Sequence, residues 1–266
     1  MTEAHLTIGD MEATASMSRV VNAWVQLNRD ARKVCRSVLD RLLAQEGNNA
    51  SRHVCGAFMT KATETLSAVN VLYAHDLQEP AQALIRILFE LRINFDCFRQ
   101  MAAKDPHDAF SRLRDSMMLE KIKQARAAGF MGIPDETIKN LENDEQDIAS
   151  RYSADDLNRM RKHGFTGIPI EQRASLTGHE AAYSVVYRNF SRNIHSTDYM
   201  ESYLKSEIYD VPDQAEYLAS RDVAAHYTAH FSAVGMAEVV NHMFSLGFNE
   251  RLDELGQRQK EIKSLD

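Results

Sequence analysis

Apolar residues in this chain return at steps of three and four from residue 11 to residue 263, and little interrupts them. Only 11 glycines and 5 prolines are spread over 266 residues, so long helices run without breakers. No run alternates apolar with polar in the two-residue period of a strand, and the spacing predicts an all-α chain. The first helix is expected over 11–45, with Met17, Val20, Val21, Trp24, Val34, Val38, Leu39 and Leu42 inward, stopped by Gly47-Asn48-Asn49. A second is expected over 51–73, burying Val54, Phe58, Leu66, Val69 and Leu72. A third opens at Pro80, whose missing N–H is harmless in a first turn, and carries Leu84, Ile87, Leu88, Leu91, Phe95 and Phe98 as its stripe.

Asp105-Pro106 restarts a helix that reaches residue 128. A repeat follows. Gly129-Phe130-Met131-Gly132-Ile133-Pro134 is echoed by Gly164-Phe165-Thr166-Gly167-Ile168-Pro169, each copy preceded by a basic amphipathic segment, 121–128 and 158–163. The first Gly suits a left-handed helix end, the Phe can pack back on the helix it terminates, and the Pro can open the next. Neither copy follows a strand or carries a P-loop Lys, so these are helix-to-helix turns rather than phosphate cradles. The stretch 135–162 is highly charged and poor in large apolar residues, as expected of a peripheral hairpin. Thr177 and Glu180 have capping-box spacing for the next helix, and helices resume over 213–246 and 249–263. The expected architecture is an all-α multi-helix bundle, a single domain over 1–266 with an inserted charged helical hairpin at 129–171.

A hydrophobic content of 44% is ample for a core without metal or disulfide support. The formal charge of −7 argues against broad adhesion to DNA or anionic membrane, leaving room only for a local basic cleft. Cys35, Cys55 and Cys97 lack CxxC partners, which fits a reducing compartment. The amino terminus has no signal-peptide pattern, and no apolar run reaches the ~18–20 residues of a membrane span. The expectation is a soluble cytoplasmic protein without membrane contact.

Chemistry-bearing residues concentrate in Tyr187-Arg188-Asn189-Phe190-Ser191-Arg192-Asn193-Ile194-His195. On an ideal helix Arg188, Ser191, Arg192 and His195 share one face, while Tyr183, Val186, Tyr187, Phe190 and Ile194 share the other. A second arrangement, Arg221-Asp222 followed by His226, is shorter, and its Arg and His are rotated by roughly 140° on an ideal helix. His226 and His230 stand four apart but lack the glutamate of a HExxH zinc motif, and no Glu-x-x-His di-iron pair is present, so no metal and no cofactor is expected. Arg86 and Glu90 form an i, i+4 pair able to support a site.

Arg188-Asn189 followed by His195 resembles the R-polar-x(3–5)-H signature of the HEPN superfamily, helical bundles that include metal-independent ribonucleases of prokaryotic toxin and antiphage systems. Arg86-Ile87-Leu88-Phe89-Glu90 together with Tyr187-Arg188, Ser191 and His195 is also similar to a family of uncharacterised bacterial helical proteins. The first resemblance implies a homodimer in which His195 of one subunit acts beside Arg188 of the other, with RNA as substrate and a neutralising or regulatory protein as partner. Asn189 would orient the phosphate or His195, and Arg192 would add positive potential. A neutral imidazole with a pKa of ~6.5 can take the 2′-hydroxyl proton, and a guanidinium can brace the phosphate as charge builds, giving a 2′,3′-cyclic phosphate. Arg221, Asp222 and His226 stand as the alternative catalytic set. A helical binding or regulatory module without catalysis is the alternative function.

Overall fold

The computed structural model describes residues 8–47, 49–128, 135–187, 190 and 211–264. Among them every regular element is helical, in an all-α multi-helix arrangement: α1 (Ile8–Leu43), α2 (Ala50–Ala74), α3 (Gln78–Lys104), α4 (Pro106–Ala127), α5 (Asp135–Ala149), α6 (Ala154–His163), α7 (Ile170–Leu176), α8 (Glu180–Ala182), a π-helical turn (Tyr183–Tyr187), α9 (Val211–Phe244) and α10 (Asn249–Lys263). None is long and apolar enough to cross a membrane. The chain divides into two compact units, Met1–Arg92 with Ala181–Asp266, and Ile93–Glu180.

In the first unit α1 packs along α9 and also meets α2 and α10. Val20, Trp24, Val34, Val38, Leu39 and Leu42 are buried, so the expected inward face of α1 is realised at these positions, whereas Val21 is only partly covered and the side chain of Met17 lies outside the described residues. The turn into α2 is tied by the Asn49 side chain, which accepts from the Arg52 N–H at 3.2 Å. The Arg52 guanidinium in turn donates to the Gln45 and Glu46 carbonyls. Asp30 on α1 receives both terminal nitrogens of Arg258 on α10 at 3.1 Å, and the Lys263 ammonium lies 4.1 Å from the Tyr227 ring centre. Gly256 lies inside α10 with open space where a β-carbon would project. Gly256→Ala is therefore expected to raise stability by ~0.5–1 kcal/mol through helix propensity, read as a higher urea midpoint; an unchanged or lower midpoint would contradict this.

The buried face of α3 is rotated from the expected stripe. Ile87 is 43% exposed, and Leu84 and Leu91 are only partly covered, whereas Ile85, Phe89 and Ile93 are fully buried beside Leu88 and Phe95. Apolar residues fill so much of this helix that spacing alone permits several faces. Phe89, the largest side chain among the contested positions, takes the core.

The second unit is organised by α4. Leu119 of α4, Ile148 of α5, and Leu157 and Met160 of α6 form one buried cluster. Two polar clamps join the same helices. Arg112 donates to both oxygens of Asp156 at 2.9 and 3.1 Å and through Nε to the Phe165 carbonyl at 3.2 Å. Asp115, 2% exposed, accepts from the Tyr152 hydroxyl at 2.9 Å and pairs with Arg151 at 3.1 Å. A buried carboxylate is tolerated only with such partners.

The second copy of the repeat behaves as a helix stop: Gly164 takes φ +73° and its N–H donates to the Met160 carbonyl at 2.8 Å. Phe165 packs edge-on to Phe98 of α3, with centroids 6.5 Å apart, so its ring also serves a neighbouring helix and not only the one it ends. Residues 129–134 of the first copy lie outside the described residues. Thr177 departs from its expected role as an N-cap. It ends α7, and its hydroxyl donates back to the Arg173 and Ala174 carbonyls at 2.8 and 3.3 Å, leaving no capping box with Glu180. The Gly178 turn that follows, with φ +75°, explains why: the chain must finish one helix here before it starts another.

Candidate functional site

The first unit holds a dense set of polar groups where α9 meets α1, α2 and the start of α3. Asn28 of α1, fully buried, donates its amide to the His226 backbone carbonyl at 3.0 Å and faces His226 Nδ1 at 3.2 Å. An amide nitrogen can only donate, so Nδ1 accepts and the neutral ring carries its proton on Nε2. Asn70 of α2 donates to the Asn28 carbonyl at 3.2 Å, which fixes the asparagine backbone beneath the ring. The Tyr73 ring lies over His226, with centroids 4.1 Å apart, and its hydroxyl reaches Asp222 Oδ1 at 3.2 Å. Gln82 of α3 donates to the same oxygen at 3.4 Å.

Burial sets the proton affinities. Desolvation pushes both His226 and His230 down to about 4, aided for His230 by the positive field of Arg258. Desolvation raises the Asp222 carboxyl above its ordinary value against the lowering influence of Tyr73, Arg221 and Gln82. Tyr73 is raised by its burial and by the Asp222 charge. His226 Nε2 and both His230 ring nitrogens have no hydrogen-bond partner among the described residues, which agrees with rings held neutral.

Arg221 and Asp222 do come together, lining a pocket of about 490 Å³ with Asp76, Leu77, Gln78, Glu79 and Pro80. His226 does not join them at that surface. At 0% exposure it is sealed between Asn28 and Tyr73. Five residues rotate a helix position by roughly 140°, so one α-helix cannot present both ends of this set to the same surface. Tyr73, Gln82, Asn28 and Asn70 were not legible as members of this cluster, because their contacts with one another and with α9 join segments distant in sequence.

Arg188, Asn189, Ser191, Arg192 and His195 lie outside the described residues. Their approach is partly described: Tyr183, Val186 and Phe190 are buried, the apolar face expected at these positions, and the π-helical turn Tyr183–Tyr187 packs against α9. That wide turn departs from the 3.6-residue repeat assumed for Tyr183, Val186 and Tyr187. Arg86 donates through Nε to Glu90 at 3.0 Å, a partly buried pair on α3. Among the described residues no group of three His, Cys, Asp or Glu side chains could hold a metal ion.

A family model described as a family of unknown function, DUF5677, matches residues 52–210, more than half of the chain. No curated protein and no solved structure matches the chain.

Proposed function

Since the chain belongs to the DUF5677 family, whose shared segment runs from α2 to just before α9, we propose that it is a metal-independent endoribonuclease using Arg188 and His195. The observation that carries this reading is the inequality of the two Arg and His sets. His226 is sealed in the core with its proton affinity pushed down to about 4, whereas Arg188 to His195, like Arg86 and Glu90, fall inside the family segment. A base that is out of reach of solvent and of any phosphate cannot serve catalysis.

In the proposed reaction the His195 imidazole takes the proton of an RNA 2′-hydroxyl. The 2′-oxygen attacks the adjacent phosphorus, and the 5′-oxygen leaves with a proton, giving a 2′,3′-cyclic phosphate and a 5′-hydroxyl. Arg188 stabilises the charge that builds on the non-bridging oxygens, and Asn189, Ser191 and Arg192 support the phosphate. The proposal includes a cytoplasmic homodimer of toxin or antiphage type, by the resemblance of Arg188-Asn189 and His195 to the HEPN signature. A non-catalytic binding or regulatory module is the second reading, favoured by a space of about 510 Å³ in the second unit that Glu120, Lys123, Arg126, Glu145, Arg161 and Lys162 line.

The test is cleavage of a labelled RNA pool in EDTA by wild type, His195→Ala, Arg188→Ala and His226→Gln, each checked for helicity. The expected result is cyclic-phosphate ends from wild type, a loss of ~10²–10⁴-fold in the first two variants, and residual activity in His226→Gln that follows its folded fraction. Cleavage that survives His195→Ala, or no cleavage by wild type over a broad RNA pool, overturns the proposal.

A further inference from the structure

The pocket at the start of α3 takes no part in the proposed cleavage. It encloses about 490 Å³ and is lined by the run from Asp76 to Pro80 and by Arg221 and Asp222, all within the first unit. That volume lies within the ~300–1,000 Å³ range of small-molecule sites. The turn that forms one wall is closed by its own backbone: Asp76 takes φ +56°, and the Leu77 N–H donates to the Leu72 carbonyl at 2.9 Å. With α3 starting at Gln78, Glu79 and Pro80 fall on the same wall.

On the other side Asp222 is a carboxylate held in place. The Tyr73 hydroxyl donates to its Oδ1 at 3.2 Å, and the Gln82 amide to the same oxygen at 3.4 Å. Both donors take one oxygen, so Oδ2 accepts from no group among the described residues and is left to what enters the pocket. Burial raises the Asp222 carboxyl above its ordinary value, a cost that a cation beside Oδ2 offsets. Arg221 stands next to it in the lining. Its Nε has no hydrogen-bond partner among the described residues, and it acts on Asp222 and Tyr73 as a charge, not as a donor. A guanidinium not committed to its neighbouring carboxylate keeps its fork for another one.

The lining thus sets three carboxylates, Asp76, Glu79 and Asp222, around one guanidinium. A bare anion would meet the acids, and among the described residues no three such groups converge to hold a metal ion. We propose that the pocket binds a basic α-amino acid, a molecule with one carboxylate and two cationic groups. Its carboxylate pairs with Arg221, its two cations meet Asp222 Oδ2 and the acids of the α2–α3 turn, and its methylenes lie along Leu77, which is 46% exposed, and Pro80. A diamine leaves Arg221 without a partner and an apolar amino acid leaves an acid without one, so the lining selects for both features. The inference does not rest on cleavage at His195.

The probes are lysine and arginine, titrated into the full chain by calorimetry at low salt beside their decarboxylated amines, cadaverine and agmatine, and beside leucine. The expected result is saturable binding of a basic amino acid that weakens about tenfold or more for its amine and for leucine. Arg221→Gln is expected to lower the affinity for the amino acid by a similar factor and leave that for the amine unchanged. Asp222→Asn, which keeps an oxygen for Tyr73 and Gln82, and Glu79→Gln, at a helix start, are expected to weaken both ligands; unchanged circular dichroism separates lost binding from lost folding. Absence of saturable binding by lysine and arginine overturns the proposal, as does equal binding by the folded variants. Cadaverine or agmatine binding as tightly as its amino acid also overturns it, and makes the pocket a plain amine site.

Discussion

Lowering the pH from 7.5 to 5 is expected to destabilise the protein steeply, because His226 and His230 are held neutral in the folded state. Both fall to about 4 on burial, below the ordinary value of 6.5. Above pH 6.5 both states carry neutral rings and no penalty arises. Between 6.5 and 4 the unfolded chain takes up protons that the folded chain refuses, so stability falls with pH and levels out only below the folded value. One pKa unit corresponds to about 1.4 kcal/mol, so each ring contributes a loss on the order of 3 kcal/mol across the full window.

Asp222 and Glu238, raised by burial, act in the opposite sense as pH falls through their raised values. Asp30, Glu145 and Asp156, lowered by their basic partners, add to the loss only near and below the ordinary carboxylate range. Between pH 6.5 and 5 the midpoint reads the histidine loss less whatever Asp222 and Glu238 return. Urea midpoints at pH 7.5, 6.5, 5.5 and 5 measure it, and His230→Phe, whose ring cannot titrate, is expected to flatten the slope by roughly half. A midpoint independent of pH over this range would show that the rings are not sealed.

Trp24→Ala is expected to cost ~3–5 kcal/mol, the usual range for truncating a buried large aromatic. Trp24 is 1% exposed on α1 and meets Tyr227 and His230 of α9 edge-on, with centroids 5.8 and 5.9 Å away. These contacts lie in the α1–α9 seam, so the cavity opens where long helices must hold together. Trp24→Phe keeps much of the volume and is expected to cost less. Because the chain has one tryptophan, unfolding of both variants is followed by far-ultraviolet circular dichroism. A loss below about 1 kcal/mol in Trp24→Ala would mean that the seam collapses to fill the space.

Much of the helical layout is legible in the sequence alone. The expected starts at Pro80 and Asp105-Pro106 fall within two residues of the observed helices, and Asp105 accepts from the Asp108 N–H at 3.0 Å as an N-cap should. Such signals act within a few residues and need no distant partner. The inward face of α1 was equally clear because polar residues separate its apolar ones. On α3, where Leu84, Ile85, Ile87, Leu88, Phe89 and Leu91 crowd together, the face depended on what packs against it. Thr177 had the composition of an N-cap, but the Gly178 turn placed its hydroxyl at a helix end.

The candidate sites depended still more on tertiary structure. Arg221-Asp222 with His226 reads as one motif along the chain, yet packing against Asn28 and Tyr73 seals the histidine and leaves Arg221 and Asp222 at a pocket. The basic segments before the two turns were visible as separate stretches, but only folding set them around one groove. The sequence by itself determined the all-α class, most helix limits and the apolar face of α1, because periodicity and capping are local properties of a few neighbouring residues. Tertiary structure alone decided which face of α3 is buried, which histidine loses its solvent and which charges share a groove, because burial and electrostatic environment are set by residues far apart in the chain.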